Sequence, residues 1–150
     1  MTTPQPSPTP PIVTERYLAA FWHIRQTFMN QLSVQLENAY QVDMRQYMAL
    51  QFVQRGIVYP TDLAEAMSVP GYMSSRIIES LLDKALIQRQ IDKSDARRII
   101  LTLTVQGKER LADCNQAMTT ELDRLLARLD SAHRILLLEI LEVLAAREEA

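Results

Sequence analysis

Cysteine, histidine and glycine are the scarce residues of this 150-residue chain, numbering one, two and three. A single cysteine, Cys114, excludes an intrachain disulfide framework and fits a reducing compartment. Three glycines supply no glycine-rich loop to cradle a phosphate. His23 and His133 lie far apart, without metal-ligand spacing to the cysteine. No catalytic constellation, metal or cofactor is therefore expected, and the chain is not read as an enzyme. The stretch "MTTPQPSPTPP" has neither the basic nor the apolar region of a signal peptide,. The longest greasy run, "RILLLEILEVLAA", is interrupted by Glu139 and Glu142 and is too short to span a bilayer,. These absences point to a soluble, cytoplasmic protein with no membrane partner.

What is present favours helix. Hydrophobic residues make up 47% and charged residues 23%, ordinary for one soluble domain with a real core. Net charge is only −2, but it is unevenly placed. Residues 72–110 carry 8 Lys+Arg against 5 Asp+Glu, whereas residues 111–150 carry 4 against 8. A surface for nucleic acid would need its basic excess concentrated in this way.

Five prolines in residues 2–11 read as an extended, disordered tail,. A long helical pattern follows from about Val13 to Tyr40, and a second from about Asp43 to Arg55, stopped by Gly56. After the extended "IVYP" comes a small helix, "TDLAEAMS", with Thr61 as the expected N-cap. "VPG" precedes a helix over about Gly71 to Lys84. On a helical wheel its Met73, Ile77, Ile78, Leu81 and Leu82 gather on one side; Tyr72, Ser75, Arg76, Glu79, Ser80 and Asp83 gather on the other. Two long helices end the chain, the second expected to be capped by Ser131, with apolar residues around more than one face.

Between them, "LIQRQI" and "IILTLT" alternate as strands of a hairpin around the charged tip "DKSDARR". Helix–turn–helix followed by a hairpin is the winged-helix arrangement, with the second helix suited to the major groove and an arginine at the tip suited to the negative minor groove. Asp95 is expected to orient the Arg97 guanidinium by a charge-assisted hydrogen bond. The fold class is mainly α with a small β-hairpin wing (α+β): a winged helix-turn-helix with long N- and C-terminal dimerisation helices. The boundaries read as a tail at 1–11, an N-terminal part of the dimerisation region at 12–42, a DNA-binding lobe at 43–107 and C-terminal dimerisation helices at 108–150.

"DKSDARRIILTLTVQGKERL" resembles the wing signature of the MarR family of bacterial transcriptional regulators, through Asp92, Asp95, Arg97, Leu103, Thr104 and Gly107. "DLAEAMSVPGYMSSRIIESLLDKALIQRQ" is similar to that family's helix-turn-helix. Two departures stand out: Ala85 where the family has glycine, and the "PGYM" opening of the recognition helix. The resemblance implies a homodimer on a palindromic operator with half-sites ~10 bp apart, acting as a repressor. The residues expected at double-stranded DNA are Thr61, Tyr72, Ser74, Ser75, Arg76, Lys93, Ser94, Asp95, Arg97 and Arg98. The resemblance also implies a small aromatic or lipophilic effector, with Tyr17, Phe21, Trp22, His23, Arg25, Tyr47, Met48 and Phe52 as candidate pocket residues. Two alternatives stand beside this reading. One is a winged-helix dimer serving as an interaction module without DNA binding. The other is a thiol redox sensor through Cys114, although an apolar stripe around that residue favours core packing.

Overall fold

The computed structural model describes residues 10–146. Residues 1–9 of the tail expected at 1–11 lie outside the described residues, and its last proline, Pro11, belongs to a helix. Pro11 opens α1 (Pro11–Gln35), where the missing N–H is no loss and the ring fixes a helical φ. The same spiral widens into a π-helical turn, Leu36–Tyr40, which Gln41 ends at φ 56°. A complete capping box opens α2 (Met44–Gln54): Asp43 Oδ1 accepts from the Gln46 N–H at 2.8 Å, and Gln46 Oε1 accepts from the Asp43 N–H at 3.1 Å,.

There follow α3 (Pro60–Ala66), α4 (Gly71–Asp83), β1 (Ile87–Ile91), β2 (Ile99–Leu103), α5 (Val105–Leu126) and α6 (Ser131–Ala145). Two expected caps are corrected by one residue or two. Pro60 is the first residue of α3, so the cap position falls on Tyr59; the Thr61 hydroxyl instead donates to Asp62 Oδ1 at 3.3 Å. At α6 the cap is Asp130, accepting from the His133 N–H at 2.9 Å, and Ser131 is already helical.

The two strands are antiparallel, with Ile87 opposite Leu103 and Ile91 opposite Ile99. The "IVYP" segment runs beside them, and the Leu101 N–H donates to the Val58 carbonyl at 2.8 Å. Between α4 and β1 the chain turns through Ala85 at φ 53°, a conformation that costs a residue with a Cβ about 1–2 kcal/mol. The turn is held from the other side: the Thr104 hydroxyl donates to the Ala85 carbonyl at 2.7 Å.

One core joins the elements. Leu32 and Leu36 from the first helix, Leu50, Leu63, Leu81, Leu101 and Cys114 are all fully buried, each leucine contributing about 1.5–3 kcal/mol by leaving water. The ends of the molecule contrast with this. No residue of α6 is buried, and Tyr17, Leu18, Phe21 and Trp22 on the first half of α1 are 58% to 65% exposed. Among the described residues, no helix is long and apolar enough to cross a membrane.

Candidate nucleic-acid interface

Helix α4 presents the expected two faces. Ile77, Ile78 and Leu81 enter the core, with Met73 and Leu82 packed against it. Tyr72, Ser75 and Arg76 remain exposed near its start, where no side chain caps the helix. Ser74 must be removed from this face: it is 2% exposed, and its hydroxyl finds no partner. It lies one turn ahead of Ile77 and Ile78 and shares their buried side. Further along, Glu79 pairs with Arg89 of β1 at 2.5 Å. Both side chains are about half exposed, so the pair adds little stability,. It does neutralise an acid on the exposed side of α4 and ties the root of the wing to that helix.

The loop between the strands is an ordered turn. Asp95 Oδ1 accepts from the Arg97 backbone N–H at 3.0 Å, and the Asp95 carbonyl accepts from the Arg98 N–H at 2.9 Å. Asp95 thus shapes the backbone, which corrects the expectation that it would hold the Arg97 guanidinium. Arg98 is placed differently from Arg97, its Cζ lying 3.5 Å from the centre of the Tyr59 ring, a close cation–π stack. The Tyr59 hydroxyl donates to Asp92 Oδ2 at 2.5 Å. Asp92 Oδ1 accepts from the Ser94 N–H at 2.8 Å and the Ser94 hydroxyl at 2.7 Å. These bonds, that of Tyr59 first, stabilise the carboxylate and hold Asp92 down at about 2,. The same bond to Asp92 raises the Tyr59 phenol. Lys93, Ser94, Asp95 and Arg97 stay exposed at the tip. Tyr59 and Arg89 were absent from the expected site residues; no local sequence pattern pairs them with partners on other elements.

Residues 40–98, from the turn before α2 to the end of the wing loop, match the model of the MarR family. The winged lobe is therefore similar to the MarR family over those residues.

Solved structures extend the likeness in fold beyond the lobe. MepR, a transcription regulator of the Staphylococcus aureus multidrug efflux pump MepA, is 21% identical with a TM-score of 0.74, covering 85% of this chain and 95% of its own. MarR from E. coli in its apo form is 20% identical with a TM-score of 0.73, covering 86% and 97%. A single-residue variant of S. aureus MepR bound to an oligodeoxyribonucleotide is 21% identical with a TM-score of 0.64, covering 85% and 94%. No curated protein sequence matches the chain.

Away from this candidate interface, the residues expected to line an effector pocket are spread over two helices. Tyr47 is buried and donates through its hydroxyl to Asn115 Oδ1 at 2.9 Å, while Phe52 packs on the core. Met48 is 38% exposed, and Tyr17, Phe21, Trp22 and His23 sit exposed on α1. Arg25 stacks on Trp22, its Cζ 4.8 Å from the ring centre. Within one chain these eight residues are not gathered in one pocket: Tyr47 and Phe52 turn towards the core, while Met48 on α2 and the α1 group are exposed. An open cleft of about 700 Å³ lies elsewhere, between α1 and α5, with Phe28, Gln31, Asn38, Glu121, Arg124 and Arg128 among its walls.

Cys114 is fully buried in the core. Burial pushes its thiol up to about 11, leaving almost no thiolate at neutral pH to react with an oxidant. Core packing accounts for this residue.

Proposed function

We propose that this chain is a sequence-specific DNA-binding transcriptional regulator, working as a homodimer and repressing by occupying a palindromic operator. The observation that carries the reading is the wing: an ordered loop, cross-braced to the lobe by Asp92 and Arg98, that leaves Arg97 exposed at its tip. An arginine on a stiff loop suits a narrow minor groove. Beside it, Tyr72, Ser75 and Arg76 at the start of α4 are placed to read the major groove, and Thr61, Lys93 and Ser94 to meet phosphates and sugars. A MepR variant of the same fold was solved with an oligodeoxyribonucleotide, which supports this use of the lobe.

The proposed organisation assigns 43–107 to DNA and 12–42 with 108–150 to dimerisation. Its support is the apolar surface left bare on α1 and α6, where Phe21, Trp22, Ile135, Leu138, Leu141 and Leu144 are all 45% or more exposed. A second copy is the natural cover for so much apolar area. Repression by occupancy needs no effector.

The test is binding of purified protein to duplex DNA across a salt series, with Arg97→Ala alongside. The expected result is an affinity that falls steeply with salt. Arg97→Ala should weaken binding across sequences and lower the log–log slope by about one. Equal affinity and slope in the variant would overturn the assignment of Arg97.

A further inference from the structure

We propose that Tyr59 is a positioning residue whose ring and hydroxyl clamp both ends of the wing loop to the start of α3, fixing where Arg97 stands relative to α4. The proposal rests on the DNA-binding reading above, but the clamp itself can be measured without DNA.

The position is unusual for its residue. Tyr59 occupies the N-cap of α3 and makes no capping hydrogen bond, although a serine, threonine, aspartate or asparagine there would satisfy a free N–H and stabilise the helix. Tyrosine cannot replace that function; what it adds lies across the fold. Its hydroxyl holds Asp92, the first residue after β1, at 2.5 Å, and its ring carries Arg98, the last residue before β2, at 3.5 Å. Asp92 and Arg98 are also joined to each other, the Asp92 N–H donating to the Arg98 carbonyl at 3.0 Å. One aromatic side chain therefore grips the two posts between which the tip is strung. Adjacent to Tyr59, the Val58 carbonyl takes the Leu101 N–H at 2.8 Å, so backbone and side chain pin the hairpin to the same segment. Asp92 is only 9% exposed despite its place in a surface loop.

Arg97 shares none of these side-chain contacts. Among the described residues its guanidinium makes no hydrogen bond, while its backbone N–H is fixed by Asp95. The division of labour is then clear: Arg98 anchors, Arg97 reaches. A guanidinium already aimed loses less freedom on binding than one on a loose loop. Releasing the anchor should reduce DNA binding through Arg97, with Tyr59 itself touching no DNA.

A double-mutant cycle on duplex DNA tests this. Tyr59→Leu, which removes ring and hydroxyl, is expected to weaken binding roughly tenfold and to lower the salt slope by about one, as Arg97→Ala does. Added to Arg97→Ala, it should change affinity by less than about twofold. Tyr59→Phe keeps the stack and loses the bond to Asp92, and should fall between. Amide hydrogen exchange supplies the DNA-free arm: amides 94–98 should exchange faster in Tyr59→Leu while those of Leu111 and Cys114 on α5 keep their protection. Equal losses from Tyr59→Leu with and without Arg97, or no loss at all, would overturn the positioning role. Unchanged exchange at 94–98 would overturn the clamp. If Tyr59→Leu fails to fold, Tyr59→Phe carries the same cycle and the same exchange comparison. If the wild type binds no duplex, the DNA reading fails, and the exchange result still decides the clamp.

Discussion

Replacing Gly107 with alanine should destabilise the protein, although alanine is the better helix former. Gly107 is buried at the third position of α5, and its N–H donates to the Thr104 hydroxyl that caps the helix, at 2.9 Å. A Cβ added there would stand 1.8 Å from the Leu86 carbonyl oxygen and 2.8 Å from its carbon. Both are backbone atoms of the turn between α4 and β1, so no side chain can swing aside. The start of α5 would have to lift off that turn by well over an ångström. Lifting it also strains the Thr104 N–H bond to the same Leu86 carbonyl, now 3.1 Å, and the Thr104 hydroxyl bond to Ala85. Overpacking of this kind costs about 1–3 kcal/mol, and a weakened buried hydrogen bond about 1 kcal/mol more. The helix preference of alanine over glycine offsets about 1 kcal/mol. A net loss of about 2 kcal/mol follows, read as a urea midpoint lowered by about 1 M at unchanged slope and fixed protein concentration. A midpoint equal to or above that of the wild type would refute the argument. It would mean that the close approach of α5 to the turn is not a constraint.

Ala85→Gly should stabilise the fold by about 1 kcal/mol, raising the melting temperature by a few degrees, because glycine adopts φ 53° without the Cβ penalty,. The Asp92 carboxylate is held below its ordinary value of 3.8, at about 2, so its contribution is complete above the ordinary value and is lost as pH falls through the lower one. Wing amides, followed by hydrogen exchange with its intrinsic pH dependence removed, should keep constant protection from neutrality down to about pH 4 and lose it between about 4 and 2; loosening near pH 6 would contradict the Tyr59–Asp92 bond. Leu138→Glu places a charge on the exposed apolar side of α6 and should halve the mass seen by sedimentation while leaving helix content unchanged; an unaltered dimer would exclude this face from the interface.

The hairpin and the helix order were legible because their signals are local. Period-two alternation set β2, and the acid–spacer–arginine tip lay within one loop. Two errors also had local signals that went the other way. Pro60 at a first helical position puts the cap on Tyr59 and not on Thr61,. Ser74 stands three, four and seven residues before Ile77, Ile78 and Leu81, the spacing of the buried stripe,. The Tyr59 clamp had no such signal, since its partners Asp92 and Arg98 come together only once the extended segment lies beside β2. The different surroundings of the candidate effector residues were hidden for a related reason. Aromatic residues at helical spacing look alike whether they line a pocket, enter a core as Tyr47 does, or stand bare as Trp22 does.

The most direct test of the central claim is selection of bound sequences from a random duplex pool by the purified wild-type protein at moderate salt. The expected result is enrichment of a palindrome whose half-sites are about one helical turn apart, about 10 bp centre to centre. Recovery of no enriched sequence would contradict a specific dimeric DNA reader and favour a winged-helix module that binds another partner.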